Sequence, residues 1–418
     1  MSDQHLRVVI VSLNYAPERT GIARYTSSLA QGLAKRGHQV QVITTHPHYP
    51  EWKIHPGYGQ WRRDEIVDGV PVRRLRHFVP RRPSWIPRAL GELSFGLRAL
   101  FTRWGRPDVV VLPSPALFAS SLVLLRARLF SRAAATVVWV QDLYSLGASE
   151  TQGSGGSLVA ALARVESATL RGADGVALIH ARFRDRVVAS LGVEPQKAGV
   201  IRNWTSVVAV DRAIDRDAVR LRLGWAPDEL VLMHTGNMGV KQGLENIVEM
   251  ARLAEAIQLS VRVVFTGGGS QKDRLVAQAA PLSNVVFLDS LPDGEFEEVL
   301  NCADVLLLNE KPGVAEMAVP SKLTTYFSTG LPVVAATDAA SISAAELSVS
   351  GGGIRVDPGD PAALLEAVSR LRADSALRAR LGMAGLAFRD AYLTEDAAID
   401  SYEEWLQSLV ESRAHTHS

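Results

Sequence analysis

Short apolar runs rich in β-branched residues alternate along this chain with stretches whose apolar residues recur at helical spacing. The first run, RVVIVSLNY (7–15), shows no polar alternation, which predicts a parallel strand covered on both faces. A loop with Pro17 and Gly21 follows. IARYTSSLAQGLAKRG then sets Ile22, Tyr25, Leu29 and Leu33 on one helical face and ends at Gly37, a residue suited to a helix C-cap. QVQVITT supplies the second strand of a right-handed β-loop-α-β unit. Further strands are predicted at 108–114, 136–142, 175–180 and 198–203, giving a first domain over residues 1–205.

The alternation then starts afresh. ELVLMHTGNMG (229–239), VRVVFTGGGS, NVVFLDS, DVLLLNE and LPVVAAT read as strands, several of them running into glycine loops. GLENIVEMARLAEAIQ, QKDRLVAQAA, ALLEAVSRLRAD and ALRARLGMAGLAFRDAY read as helices. Two successive runs of this kind predict the α/β class, with two Rossmann-like, doubly wound domains facing each other across a cleft. The second domain spans 206–393. Residues 394–418 predict a final helix carrying Tyr402 and Trp405, with a frayed tail, ESRAHTHS, packing back toward the first domain. QGSGGS (152–157) reads as a surface connection.

Composition narrows this picture. Of 418 residues, 47% are hydrophobic and 21% charged, which fits a packed domain pair and excludes a disordered chain. The single cysteine, Cys302, excludes a disulfide framework and a cysteine-based metal site and suits a reducing cytoplasm. No apolar run reaches the ~20 residues of a membrane-spanning helix. The net charge of +1 gives no reason to expect nucleic acid as a partner. Its distribution is uneven, because residues 62–106 hold eleven arginines among Phe78, Trp85, Ile86, Phe95, Phe101 and Trp104. That mixture fits either an anionic membrane surface or a solvated helical excursion with part of its apolar face in the core; the membrane is the preferred expectation.

In doubly wound sheets ligands bind beyond the carboxyl ends of the strands, so the loops that follow strands are the candidates for chemistry. In NYAPERTGIARY (14–25), Gly21 and Ile22 open a helix whose N–H groups can face an anion. The loop is not GxGxxG, which argues against a nicotinamide dehydrogenase. In HTGNMGVKQGLE (234–245), Gly236, Gly239 and Gly243 with Lys241 can wrap a diphosphate. In TGGGS (266–270), Gly267, Gly268 and Gly269 permit close ligand approach or simply a turn. NEKPGVAEMAVPSKLTTYFSTGLPVVAAT (309–337) puts Glu310 at a strand end and Pro320, Ser321 and Lys322 at a helix start, a good seat for a pyrophosphate. Asp142 can act on a hydroxyl or cap the next element, and His180 can hydrogen-bond a substrate or be an ordinary strand-end polar residue. His46 and His48 lie near the same edge without further ligands at metal spacing.

Taken together these segments carry a resemblance. YAPERTGIARYTSSLAQGLAKRGHQVQVIT, HPHYPEWKIHPGY, VQDLYS, VIRNWTS, HTGNMGVKQGLENIVEMA, FTGGGS, VPSKLTTYFSTGLPVVAA and RLGMAGLAFRDAY cover almost the whole chain in order. The chain is similar to retaining glycosyltransferases of family 4 with the GT-B fold, and most to those that build colanic acid, O-antigens and other surface polysaccharides. The resemblance implies transfer of a sugar, with retention, from a nucleotide diphosphate sugar to a hydroxyl on a glycan, glycolipid or small molecule. It implies no metal or other cofactor, and a cytoplasmic location that extends to the inner face of the membrane. It places the donor against Gly236, Asn237, Gly239, Gln242, Gly267, Gly268, Glu310, Pro320, Ser321 and Thr325, and the acceptor against Gly21, Ile22, His46 and His180. Lys322 and Lys241 would then stabilise the departing diphosphate while Asp142 orients the acceptor hydroxyl. The chain departs from the broad family at four positions. Asn237 and Gln242 stand where an arginine and a lysine are usual, and Met317 and Thr325 where two glutamates are usual. These departures motivate a second expectation, a catalytically silent relative that binds a sugar nucleotide or a partner enzyme. A sugar-nucleotide epimerase is a third.

Overall fold

The fold is that of a computed structural model describing residues 5–18, 21–81, 85–145, 157–204, 215–292, 294–313 and 321–417. The chain divides into two compact units. Unit 1 comprises Met1–Asn203 and Glu395–Ser418, and unit 2 comprises Trp204–Thr394.

Unit 1 is built on an eight-stranded sheet. Its strands are β1 (Arg7–Val11), β2 (Gln39–Thr45), β3 (Arg62–Val67), β4 (Val70–Leu75), β5 (Val109–Pro113), β6 (Ala135–Val140), β7 (Gly175–Leu178) and β8 (Ala198–Val200). They lie in the order β3-β4-β2-β1-β5-β6-β7-β8, all parallel except β3. The apolar runs form these strands because helices cover both faces. β5 and β6 are buried at every position, so no residue along them needs to be polar. The strand order reverses direction between β1 and β5, which puts the topological switch point at their carboxyl ends.

The arginine-rich stretch is only partly helical. Its first third is the β3–β4 hairpin, turned by Asp68 (φ 49°) and Gly69 (φ 81°), the paired positive φ values of a type I′ turn. Cross-strand pairs such as Arg73–Asp64 at 2.6 Å and Arg74–Glu65 absorb part of its charge. Later in the stretch comes the helix Trp85–Leu100. It packs closely on the helix Leu117–Phe130: a Cβ on Gly96 would lie 2.9 Å from the Ala119 Cα. The last helix, Glu395–His417, belongs to unit 1 and continues through the segment expected to fray.

Unit 2 has a six-stranded parallel sheet of β9 (Leu230–Thr235), β10 (Val261–Thr266), β11 (Val285–Leu288), β12 (Val305–Asn309), β13 (Val333–Ala336) and β14 (Gly353–Val356). The order β11-β10-β9-β12-β13-β14 is the Rossmann order 3-2-1-4-5-6, with its switch point between β9 and β12. Alternate residues of each strand feed two cores. Leu230, Leu232, Val263 and Leu307 face the helices Glu245–Ala256 and Pro361–Ala373. Val231, Met233, Val264 and Leu306 face the helices Ser321–Ser328 and Ser375–Tyr392.

Candidate functional site

In unit 2 the chemically capable groups gather at the switch point. β9 ends in His234, Thr235 and then Gly236. β12 ends in Asn309 and then Glu310. The helix Ser321–Ser328 starts beside them and brings Lys322 between the two strand ends. The Lys322 ammonium lies 3.2 Å from His234 Nε2. Its stem passes over Gly236, where a Cβ would sit 3.4 Å from Lys322 Cε and where φ is +94°. Glycine at this position therefore serves both a left-handed backbone and the passage of the lysine. Burial pushes the Lys322 ammonium down to about 8, opposed by the charge of Glu310. Glu310 is itself raised by burial, but hydrogen bonds from the hydroxyls of Ser343 (2.6 Å) and Thr337 hold it against that rise. Burial, then the Lys322 charge, pushes His234 down to about 3, so its imidazole is neutral.

The glycine loops are held mostly by one another. A Cβ on Gly267 would fall 2.3 Å from the Gly236 carbonyl oxygen, and one on Gly269 would fall 2.6 Å from that of Met238. These two glycines allow two loops to touch. Gly268 faces open space. The Gln242 side chain turns inward and accepts from the Gly239 N–H at 3.0 Å. Asn309 donates to the carbonyls of Gln242 (2.8 Å) and Gly243 (2.9 Å) and accepts from Asn246 (2.8 Å), stapling the loop to the end of β12. Asn237 borders Gly239 and Gly269. Lys241 has an exposed side chain on the turn Val240–Gln242, and Thr325 is half-buried one helical turn past Lys322. Pro320, Glu316 and Met317 lie outside the described residues, as does the side chain of Ser321. Such a site suits an anion. An ammonium and the first turn of a helix both favour negative charge there, and charge-assisted hydrogen bonds are the strong ones.

In unit 1, Gly21 (φ +59°) precedes the helix Ile22–Lys35, with open space where a Cβ would be and no side chain capping the first turn. Ile22 is half-buried. The His46 ring is buried, with Nε2 2.7 Å from the Gln60 carbonyl oxygen, and burial lowers its pKa. His180 is the N-cap of the helix Ala181–Leu191, its Nδ1 accepting from the Arg182 N–H at 3.1 Å. Asp142 is exposed just past β6, and its carbonyl accepts from the Ser114 hydroxyl at 2.9 Å. The structure adds Glu18, whose buried carboxylate accepts from the N–H groups of His48 (2.7 Å) and Tyr49 (2.8 Å) and so pins the loop after β2. Arg74, fully buried, donates to the carbonyls of Thr45 and Ala16.

Sequence reasoning missed His234, Asn309 and Glu18. The available signal was a polar residue at the end of an apolar strand, LVLMH and VLLLN, where burial requires a hydrogen-bond partner. Among the described residues no cluster of three or more His, Cys, Asp or Glu is arranged to hold a metal, and no helix is long and apolar enough to cross a membrane.

Comparison with known proteins agrees with this architecture. Residues 20–204 match the family described as a glycosyl transferase 4-like domain, and residues 229–374 match the glycosyl transferases group 1 family. An Escherichia coli K12 protein assigned to colanic acid biosynthesis as glycosyl transferase WcaI is 30% identical over 337 residues, which are 78% of this chain and 82% of that one. Among solved structures, Anabaena HepE in complex with UDP superposes with a TM-score of 0.71 at 15% identity, covering 96% of this chain and all of the other. Sucrose-phosphate synthase from Thermosynechococcus elongatus gives 0.70 at 17%, covering 98% and 100%. Two Rossmann-like sheets in this order, each half matched by its own glycosyltransferase family, show that the chain belongs to the family 4 glycosyltransferases of the GT-B fold.

Proposed function

We propose that the chain transfers a sugar from a nucleoside diphosphate sugar to a hydroxyl acceptor, with retention and without a metal, in the assembly of a surface polysaccharide or glycoconjugate. The observation that carries the proposal is Lys322, held at the switch point of unit 2 against His234 and across Gly236, in the field of the Glu310 charge. Supporting it, HepE was solved with UDP and with UDP-glucose, a starch synthase with ADP, and the E. coli relative is assigned to colanic acid synthesis. In the reaction the bond from the anomeric carbon to the diphosphate breaks and a bond to the acceptor oxygen forms on the same face. The acceptor proton passes to a diphosphate oxygen, so no protein base is needed. Lys322, Lys241 and the start of the helix Ser321–Ser328 neutralise the charge that develops on the leaving group. Gly268, Asn237, Thr325 and Glu310 border the donor, while Gly21, Ile22, His180 and Asp142 border the acceptor, with His46 buried behind them against the Gln60 carbonyl. The basic, apolar flank of unit 1 docks on the inner, anionic face of a membrane.

The test is incubation with UDP-, GDP- and ADP-sugars in the presence of EDTA, followed by detection of transfer or hydrolysis. Lys322→Ala should lose turnover by roughly 10²- to 10³-fold while keeping its circular dichroism spectrum. Near-normal turnover in that variant would sink the role of Lys322. Binding of nucleotides without turnover of any donor would favour the silent relative, for which Asn237 and Gln242 are the motive.

A further inference from the structure

We infer that His234 is a positioning residue for Lys322: a neutral imidazole, fixed in one tautomer by the Leu307 carbonyl, that holds the lysine ammonium in place over Gly236. The inference rests on the proposed role of Lys322 and adds a second residue to it.

His234 is the penultimate residue of β9 and is 1% exposed, the first polar side chain after Leu230, Val231, Leu232 and Met233. Its Nδ1 lies 3.2 Å from the Leu307 carbonyl oxygen on the neighbouring strand β12. A carbonyl can only accept, so Nδ1 carries the proton and Nε2 presents a lone pair. Lys322 Nζ, 3.2 Å from Nε2, has three N–H donors and no acceptor, so it donates to that lone pair. The two contacts fix each other: the tautomer that serves Leu307 is the one that receives Lys322. A protonated imidazole would instead set two buried cations 3.2 Å apart. Burial and the lysine charge oppose that state and outweigh the Leu307 and Asn237 backbone groups that favour it.

A lysine side chain has four rotatable bonds and strongly resists being held in one place. Here the passage over Gly236 fixes its stem and His234 fixes its tip. One ammonium proton is committed to His234, and two remain for an anion. The charged and titratable groups acting on Lys322 are Glu310, just past β12, and His234, on β9. An acceptor in contact with the ammonium favours its protonated form, so removing the acceptor should make Lys322 lose its proton at lower pH.

The experiment compares wild type, His234→Phe, His234→Gln and Lys322→Ala. The acid constant of Lys322 is measured by competitive isotopic acetylation against pH with peptide mass spectrometry, which requires no donor. Where UDP-glucose, GDP-mannose or ADP-glucose is turned over, kcat and kcat/KM are followed against pH. His234→Phe fills the space but accepts nothing. It should raise the acid dissociation constant of Lys322 about tenfold, cut kcat by about tenfold and move the alkaline limb of kcat/KM to lower pH. His234→Gln offers an amide oxygen in the place of Nε2 and should restore part of each effect, which a space-filling role would not. An unmoved lysine acid constant in both folded His234 variants overturns the inference. Should His234→Phe fail to fold, His234→Leu, which also accepts nothing, takes its place, and an acid constant equal to that of wild type in it overturns the inference. Full turnover in Lys322→Ala overturns the role of the lysine instead, and lost turnover there with unchanged His234→Phe overturns only the positioning.

Discussion

Glu92 lies on the buried face of the helix Trp85–Leu100 at 5% exposure, where its carboxylate accepts from the Phe118 N–H at 3.0 Å. Burial pushes it up to about 8, opposed by that hydrogen bond, by the charge of Arg88 and by a hydrogen bond from Tyr144. A carboxyl whose folded pKa exceeds its unfolded value of 4.5 contributes fully to stability below that value. The contribution is lost as pH rises toward 8, because the folded state must either keep the proton or bury a charge. Stability should therefore fall between about pH 4.5 and 8, and Glu92→Gln should flatten the fall. The variant is expected to be more stable than wild type by about 1–3 kcal/mol at pH 8.5 and within about 1 kcal/mol at pH 5; thermal denaturation of both at several pH values checks this, and parallel curves would remove Glu92 as the cause. Single residues of this kind were the least legible part of the sequence. Lys322 was found because it stands in a loop that the fold uses for ligands. Glu92 and His234 were not, because each looks like one polar letter in an apolar segment and its meaning lies in a partner 26 or 73 residues away.

At the scale of elements the pattern was legible wherever both faces are buried. β1, β2, β5, β6, β9, β10, β12 and β13 all declare themselves as apolar runs. The β3–β4 hairpin escaped because its alternate residues are Arg, Asp and Glu paired across the strands, although Asp68-Gly69 was a usable turn signal. β14 escaped because it is a half-buried edge of only four residues. The helices Trp85–Leu100 and Leu117–Phe130 leave apolar side chains exposed. Ile86, Leu90, Leu97 and Phe101 fall within roughly 60° of one another at 100° per residue, and all four are exposed. Leu125, Leu129 and Phe130 are exposed on the second helix, and Arg88, Arg103, Arg128 and Arg132 are exposed along the same two segments. Apolar side chains beside arginines complement an anionic lipid surface. The protein should sediment with phosphatidylglycerol vesicles at low salt, stay in solution with phosphatidylcholine, and release in about 0.5 M salt as screening shortens the reach of the arginines. A double variant, Leu97→Ser with Phe101→Ser, should weaken sedimentation without changing the fold. Equal binding to both lipids would argue for simple apolar adhesion, and no binding to either for a plain surface.

For the whole molecule, the path of the chain is the feature with most consequence: it leaves unit 1 at Asn203, builds unit 2, and returns to unit 1 at Glu395. The returning helix is seated by glycines far away in sequence. Ile399 fills the space that a Cβ on Gly32 would need, with its Cδ1 2.0 Å from that position. The Trp405 indole lies 2.9 Å from a Cβ on Gly175 and 3.2 Å from one on Gly199. Tyr402 packs edge-on against Trp139 with ring centres 5.3 Å apart, and Arg36–Asp400 and His38–Glu403 pairs close the rim at 2.5 and 3.0 Å. These glycines are therefore slots cut for the last helix, and unit 1 is incomplete without it. Trp405→Ala would empty the slot over β7 and β8 and should cost about 3 kcal/mol. Because the contact lies wholly within unit 1, the loss should be local. Hydrogen exchange should quicken in β7, β8 and the helix Ile22–Lys35 while β9, β10 and β12 of unit 2 keep wild-type protection. Truncation after Thr394 should go further and abolish protection throughout the unit 1 sheet. Exchange that rises equally in both units would mean instead that the two unfold as one body and that the helix stabilises the whole chain.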